Sequence, residues 1–333
     1  MNTMSERDRK YTVLFVDDEP RVTSALKAIF RREYEVSIAN SGIEALSIME
    51  SSRFDVVVSD QRMPGMLGNQ FLAQVTKLYP QTMRILLTGF MDKQAIVDSI
   101  NEGEIYRFIN KPWRNDEMRE VVAEAALASE IPALPTVSDT QEASAQFKKT
   151  LSSHSTKTSA DSDSKTKDHA LLMMEQAKDI RHQIRRFCSD HSIMIYGTQN
   201  IEQAVAAATS RKNIGVAVIE LSEDTRTALQ TINLLKRARP EIITIALTEE
   251  FDAHTAVDLI NQGQVFKYLA KPIDLAGFQT TIENAFVRHR FLKKHKAAHK
   301  RFKVEKTKGS VVSGLQEMFG RLVGNTDKNS ATT

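Results

Sequence analysis

The chain has 333 residues, 41% hydrophobic and 26% charged, the composition of a soluble globular protein with room for two ordinary domains. No apolar run approaches the ~18 residues that suggest a membrane span, and a single cysteine, Cys188, excludes an internal disulfide and a cysteine-based metal site. The formal net charge of +3 is unevenly spread: Phe286 to Thr333 carry twelve Lys/Arg against three Asp/Glu, so the body is acidic and the tail basic.

The first residues, Met1 to Lys10, lack the apolar core of a secretion signal, and a cytoplasmic location is expected. Val13-Leu14-Phe15-Val16 is wholly apolar and ends in Asp17-Asp18-Glu19-Pro20, as a buried parallel strand does. Pro20 suits the first turn of a helix, on which Val22, Leu26, Ile29 and Phe30 recur at helical spacing. Val36 to Ile38 reads as a second strand and Ile43 to Glu50 as a second helix. A third strand ends at Asp60, before the turn Met63-Pro64-Gly65. Phe71 to Leu78 is a helix closed by Tyr79-Pro80. Arg84 to Leu87 is a fourth strand ending at Thr88-Gly89, and Ile96 to Ile100 a helix stopped by Asn101-Glu102-Gly103. Tyr106 to Ile109 is a fifth strand ending at Asn110-Lys111-Pro112, and Asp116 to Leu127 a fifth helix.

Five strands alternating with five helices predict a doubly wound α/β sheet, which takes ligands at the carboxyl ends of its strands. Those ends carry Asp17 and Asp18, Asp60, Thr88 and Lys111: acids, a hydroxyl and an ammonium group. An isolated Asp often does no more than cap a loop, but four strand ends agreeing points to a site.

From Ser129 to Asp168 the composition changes, and Ser153 to Thr166 is polar and almost free of large apolar residues, so residues 129–168 are expected to be a flexible linker. The chain then repeats itself. Pro80, Thr88, Asn101, Gly103, Lys111 and Pro112 recur 160 residues later as Pro240, Thr248, Asn261, Gly263, Lys271 and Pro272, and Tyr106-Arg107-Phe108 becomes Phe266-Lys267-Tyr268. Earlier segments match at an offset of 158, two extra residues preceding Gly215. The chain holds two copies of one domain, expected at 11–128 and 169–287. The second keeps the frame and alters the site: Glu175 and Gln176 replace Asp17 and Asp18, Glu220 replaces Asp60, and Thr248 and Lys271 remain.

Carboxylate oxygens suit Mg²⁺, which keeps several waters and uses few protein ligands. Asp18 and Asp60 can each supply an oxygen, and Asp17 can hold a metal-bound water. Asp60 is placed to act as a nucleophile that forms an aspartyl-phosphate, with Lys111 and Thr88 stabilising the phosphoryl oxygens.

The motifs Val-Asp-Asp-Glu-Pro at 16–20, Ser-Asp-Gln-Arg-Met-Pro-Gly at 59–65, Leu-Thr-Gly at 87–89 and Asn-Lys-Pro-Trp at 110–113 resemble the receiver domain of two-component response regulators. The stretch Glu-Gly-Glu-Ile-Tyr-Arg-Phe at 102–108 resembles receivers fused to HD-type phosphodiesterases or to regulators of hydrogenase genes. The resemblance implies two flavodoxin-like folds, Asp60 as phosphoacceptor, Asp17 and Asp18 as acidic metal residues, and the backbone carbonyl of Arg62 as a further metal ligand. It implies Thr88 and Lys111 as phosphate contacts, Phe108 as the aromatic switch, and a sensor histidine kinase or phosphotransfer protein as donor. It also implies a partner or homodimer face over the fourth helix, fifth strand and fifth helix, roughly Asp92 to Leu127.

The second copy resembles a degenerate receiver with Glu175, Gln176, Glu220, Thr248, Tyr268 and Lys271 at the equivalent positions. The longer Glu220 is expected to push its carboxylate towards Thr248 and Lys271. It then either imitates a phosphorylated aspartate or is a residue of a domain kept for packing or binding.

The last helix, Phe278 to Val287, is expected to continue through the basic residues 288–296, and Ser310 could cap a further amphipathic stretch. Three readings of the tail stay open: a solvated basic helix, a partner-docking segment, or nucleic-acid or anionic-membrane contact. The histidines His182, His191, His254 and His289 show no ligand spacing. No nucleotide loop or hydrolase motif is present, so the expectation is a signalling protein rather than an enzyme. It acts on an unidentified downstream protein, with a DNA-binding regulator or a phosphate sink or relay as rivals.

Overall fold

The computed structural model describes residues 9–89, 93–102, 104–131, 133, 169–221, 225–250, 252–263 and 265–302. The first half alternates β1 (Thr12–Val16), α1 (Pro20–Phe30), β2 (Glu35–Ala39), α2 (Gly42–Ser51), β3 (Val56–Asp60), α3 (Gly68–Leu78), β4 (Met83–Thr88), α4 (Lys93–Asn101), β5 (Arg107–Asn110) and α5 (Asn115–Ser129). Its five strands pair in parallel in the order β2-β1-β3-β4-β5. Alternate strand residues supply the two faces. Val13, Phe15, Val58 and Ile85 bury against Leu26 and Phe30 of α1 and Val122 of α5. Leu14, Val16, Val57 and Leu86 bury on the other side with Ala45 of α2 and Phe71 of α3. A strand covered on both faces has no polar side, which is why β3 is buried along its whole length.

The second half repeats the plan with β6 (Ala170–Met174), α6 (Lys178–Asp190), β7 (Met194–Gly197), α7 (Ile201–Ser210), β8 (Ile214–Leu221), α8 (Thr225–Ala238), β9 (Ile243–Thr248), α9 (Ala253–Asp258), β10 (Lys267–Ala270) and α10 (Leu275–Lys294). Its sheet has the same order, β7-β6-β8-β9-β10. The peptide bonds before Pro112 and Pro272 are both cis. Where the first copy has the end of α4, the second has a π-turn, Leu259–Gly263. The chain therefore carries two doubly wound, five-stranded parallel sheets.

The two units share a buried seam. One continuous apolar cluster contains Ile96, Ile100 and Phe108 from the first and Val257, Ile260 and Tyr268 from the second. Polar contacts cross it as well. The Asn101 amide donates to Tyr268 O and accepts from Tyr268 N–H, each at 3.0 Å. The Asn261 amide accepts from Phe108 N–H at 2.9 Å and donates to Phe108 O at 3.0 Å. Arg288 grips the Glu104 carboxylate with two bonds of 2.9 and 3.2 Å, and Lys267 donates to Asn101 O.

The basic stretch past the second sheet corrects one expectation. It is not a wholly solvated helix: Arg288, His289, Leu292 and Ala298 are buried, because α10 keeps one face on the second sheet. A Cβ on Gly215 would lie 2.7 Å from the His289 ring, so the ring packs where β8 has no side chain. The 3₁₀ segment Lys296–Phe302 then folds back beside α5, and Ile131, just past α5, is buried in the same cluster as Leu292 and Ala298. The exposed lysines Lys293, Lys294 and Lys296 face away. The amphipathic stretch expected after Ser310 and most of the expected linker lie outside the described residues. Among the described residues, no helix is long and apolar enough to cross a membrane.

Glu104 has a left-handed backbone, φ 43°, unusual for a side chain with a Cβ. Burial pushes its carboxyl up, but Arg288, then Arg84 and Lys267, outweigh this and bring its pKa down to about 2 from the ordinary 4.5. A depressed folded-state pKa gives stability that is present above the unfolded value and lost as pH falls towards the folded one. The stability advantage of wild type over Glu104→Gln in denaturant titrations is therefore expected to shrink as pH falls from 4.5 to about 2. An advantage that stays constant over that window contradicts the pair.

Candidate functional site

The carboxyl ends of β1, β3, β4 and β5 gather the acids, hydroxyl and ammonium group of the first unit. Asp17 follows β1 and is buried, while Asp18 beside it is exposed. Asp60 ends β3 with 5% of its surface exposed, and Thr88 ends β4 with 3%. Lys111 follows β5, and its N–H donates to Thr88 O at 2.8 Å, which fixes the loop against the neighbouring strand.

The lysine ammonium group lies between two acids, 2.8 Å from Asp17 Oδ2 and 2.5 Å from Asp60 Oδ1. Burial lowers the Lys111 pKa, but the hydrogen bonds to Asp17 and Asp60 outweigh it and hold it above the ordinary lysine value. The other carboxylate oxygens are also engaged. Asp17 Oδ1 accepts from Glu19 N–H at 2.9 Å, and Asp60 Oδ2 from Arg62 N–H at 2.8 Å. That bond holds the Arg62 backbone N–H on the acid.

Gly68 holds the returning loop to Asp60. A Cβ there would lie 2.0 Å from Asp60 O, so only glycine permits this approach. Gly68 N–H donates to Gln61 O at 3.0 Å, and the Gln61 and Asn69 amides bond to each other's segments at 3.0 and 3.2 Å. Sequence reasoning missed Gly68, although a glycine three residues past the Met-Pro-Gly turn was visible.

Among the described residues, no three His, Cys, Asp or Glu side chains converge as a ready-made metal cage. Mg²⁺ keeps several of its waters and takes one or two carboxylates rather than an all-protein shell. The donors are all hard oxygens, the buried Asp17 and Asp60 next to the solvent-exposed Asp18. This set fits the ion.

The second site reproduces the lysine and surrounds it with glutamates. Lys271 Nζ is 3.0 Å from Glu175 Oε1 and 2.6 Å from Glu220 Oε1, with Glu249 at 3.8 Å. Glu220 Oε2 accepts from Gln176 N–H at 2.8 Å. The extra methylene thus lets Glu220 span from Lys271 to the strand end that carries Asp18 in the first site. The expected reach towards Thr248 is corrected: the Thr248 hydroxyl donates to Glu250 O at 2.5 Å and bonds to the Tyr268 hydroxyl. A backbone N–H of the adjacent strand end is the donor that Glu220 meets instead. Burial holds the Glu175 carboxyl above its ordinary range. At Glu220 burial acts in the same direction, but Lys271 outweighs it and holds that carboxyl below its ordinary range.

Phe108 and Tyr268, the switch positions expected from the resemblance, are both buried, each at 3% exposure, with their backbones held by Asn261 and Asn101. The two asparagines were visible only as equivalent residues of the repeat, where they read as helix stops. His182, His191 and His254 join no site, and His289 is packed on Gly215 with Nδ1 2.8 Å from Glu241 O.

Known proteins resemble the first unit of the chain. The family model for the response regulator receiver domain matches residues 13–123. The hydrogenase transcriptional regulatory protein HoxA of Cupriavidus necator is 37% identical over 121 residues, 36% of this chain and 25% of that protein. The chain thus spans only a quarter of that regulator's length. Sporulation initiation phosphotransferase F of Bacillus subtilis is 31% identical over 111 residues, 33% of this chain and 89% of that protein. Among solved structures, the signal receiver domain of an HD domain-containing protein from Pseudomonas fluorescens shares 34% identity, with a TM-score of 0.36, over 37% of this chain and 98% of that one. The chain belongs to the response regulator receiver family.

Proposed function

We propose that the chain is a response regulator that accepts one phosphoryl group on Asp60 and passes the signal on through protein–protein contacts. The donor is a sensor histidine kinase or a phosphotransfer protein. The observation that carries this reading is the setting of Asp60: a lone strand-end carboxylate between Lys111 and the Arg62 N–H, with Asp17 sharing the lysine.

In this reading an Asp60 oxygen attacks the phosphorus of a phosphohistidine. The new O–P bond forms as the N–P bond breaks, and the donor imidazole leaves with a proton from solvent. Asp17, Asp18, Asp60 and the Arg62 carbonyl would hold Mg²⁺, which when bound neutralises charge on the phosphoryl oxygens. Lys111 is already within reach of Asp60, so its cation can pass to a phosphoryl oxygen without a large movement, and Thr88 offers a hydroxyl donor at the next strand end. Positioning and charge stabilisation of this kind make up most of what phosphoryl transfer requires.

Glu220 is not a second acceptor in this account, because Glu175 and Gln176 stand where the first site has Asp17 and Asp18, which leaves fewer donors for a hard cation. The hydrogenase regulator's name describes that protein. The match reaches a quarter of its length, so transcriptional output is no part of the proposal.

Purified protein incubated with Mg²⁺ and a small-molecule phosphodonor is expected to gain one phosphoryl group by intact mass, and Asp60→Ala to gain none. Undiminished labelling of that variant would sink the assignment. Lys111→Ala leaves Asp17 and Asp60 without their shared cation and is expected to slow labelling by about 10²-fold or more. Gly68→Ala forces the loop away from Asp60 O and is expected to cost about 1–3 kcal/mol of stability and to slow labelling as well. Wild-type labelling and melting temperature in this variant would contradict the close approach.

A further inference from the structure

β5 and β10 are the outer strands of their sheets, and an outer strand presents unpaired N–H and C=O groups to whatever lies beside it. Here each is met by one carboxamide of the opposite unit. Asn261 takes the N–H and C=O of Phe108 at 2.9 and 3.0 Å, and Asn101 takes those of Tyr268 at 3.0 Å each. The two asparagines are 160 residues apart, as are the two residues they hold. The contact is therefore reciprocal, residue for residue, as in a two-fold dimer interface, but within a single chain. The apolar seam of Ile96, Ile100, Val257 and Ile260 runs beneath it. Glu104, in its left-handed conformation, adds the paired bonds to Arg288.

We propose that the second domain is the resident partner of the first: it holds the edge of β5 through the Asn261 clamp and reads the state of Asp60 along that strand. The linkage part rests on Asp60 being the phosphoacceptor. The path is short and contiguous. Lys111 Nζ holds Asp60 and Asp17, and the Lys111 N–H bonds to Thr88 O. Asn110 pairs with Thr88 and Phe108 with Leu86 on β4. A phosphoryl group on Asp60 competes for the Lys111 ammonium group, and the strand end that responds is the one whose Phe108 backbone lies in the clamp. Because the second site lacks the aspartates of the first, the second domain contributes binding rather than a second phosphorylation. While the clamp is shut, this face is covered and a second copy of the chain cannot dock there.

The test is amide hydrogen exchange on the full chain. In wild type the Phe108 and Tyr268 amides are expected to exchange slowly although they lie on outer strands. Asn261→Ala is expected to speed exchange at Phe108 by about tenfold, and more than at Tyr268. Asn101→Ala is expected to do the reverse. Amides of the central strands β1 and β6 are expected to be unchanged in both variants, which shows that the fold has survived. Fast exchange at both positions in wild type, or no response to either substitution, overturns the clamp.

With Mg²⁺ and acetyl phosphate, exchange at Phe108 is expected to shift by about fivefold or more, and Asp60→Ala to abolish the shift. Intact mass on the same samples separates the two ideas. A gained phosphoryl group with unchanged exchange at Phe108 overturns the linkage. No gained group contradicts Asp60 as acceptor, and with it the linkage, while the asparagine variants still decide the clamp.

Discussion

A lysine held between two carboxylates at the end of a parallel sheet is the interaction on which both halves of this chain depend. In each half the lysine's own N–H bonds back to the threonine of the neighbouring strand, so its reach is set by backbone. Its ammonium group then draws together the ends of the first and third strands of that half. In the first half it meets Asp17 and Asp60, and in the second Glu175 and Glu220. Opposite charges this close, partly out of water, attract far more strongly than an exposed surface pair.

One methylene separates the outcomes. Asp60 is held by its lysine and by the Arg62 N–H of its own turn. Glu220 reaches from its lysine to the Gln176 N–H at the end of the first strand of its half. That reach ties the acid to this strand end, and the loss of the Asp pair leaves few donors for a hard cation. The same scaffold thus holds a lysine between two aspartates in one copy and between two glutamates in the other. The second copy is packed through α9, the π-turn and β10 onto α4 and β5 of the first.

Much of this was legible in the sequence because parallel strands buried on both faces must be apolar throughout, which makes their ends easy to find. The strand-end residues and the duplication followed from those ends. The cross-domain contacts were not legible, for definite physical reasons. Asn101 and Asn261 sit where helices stop, and an asparagine ending a helix has the same local pattern as one that grips a strand from another domain. Glu220 was expected to turn towards Thr248 because sequence displays side chains, whereas the donor it found is a backbone N–H. Arg288 and His289 read as part of a solvated charge run, but the helical phase of α10 and the bare backbone at Gly215 place them inside.

We propose that the two copies share a lysine-centred frame and that Asp60 alone takes up a phosphoryl group. Borohydride trapping of the acyl-phosphate followed by peptide mapping tests it most directly. The account predicts a reduced residue at Asp60 and none at Glu175 or Glu220. A trapped adduct at Glu220, or on any residue other than Asp60, would contradict it.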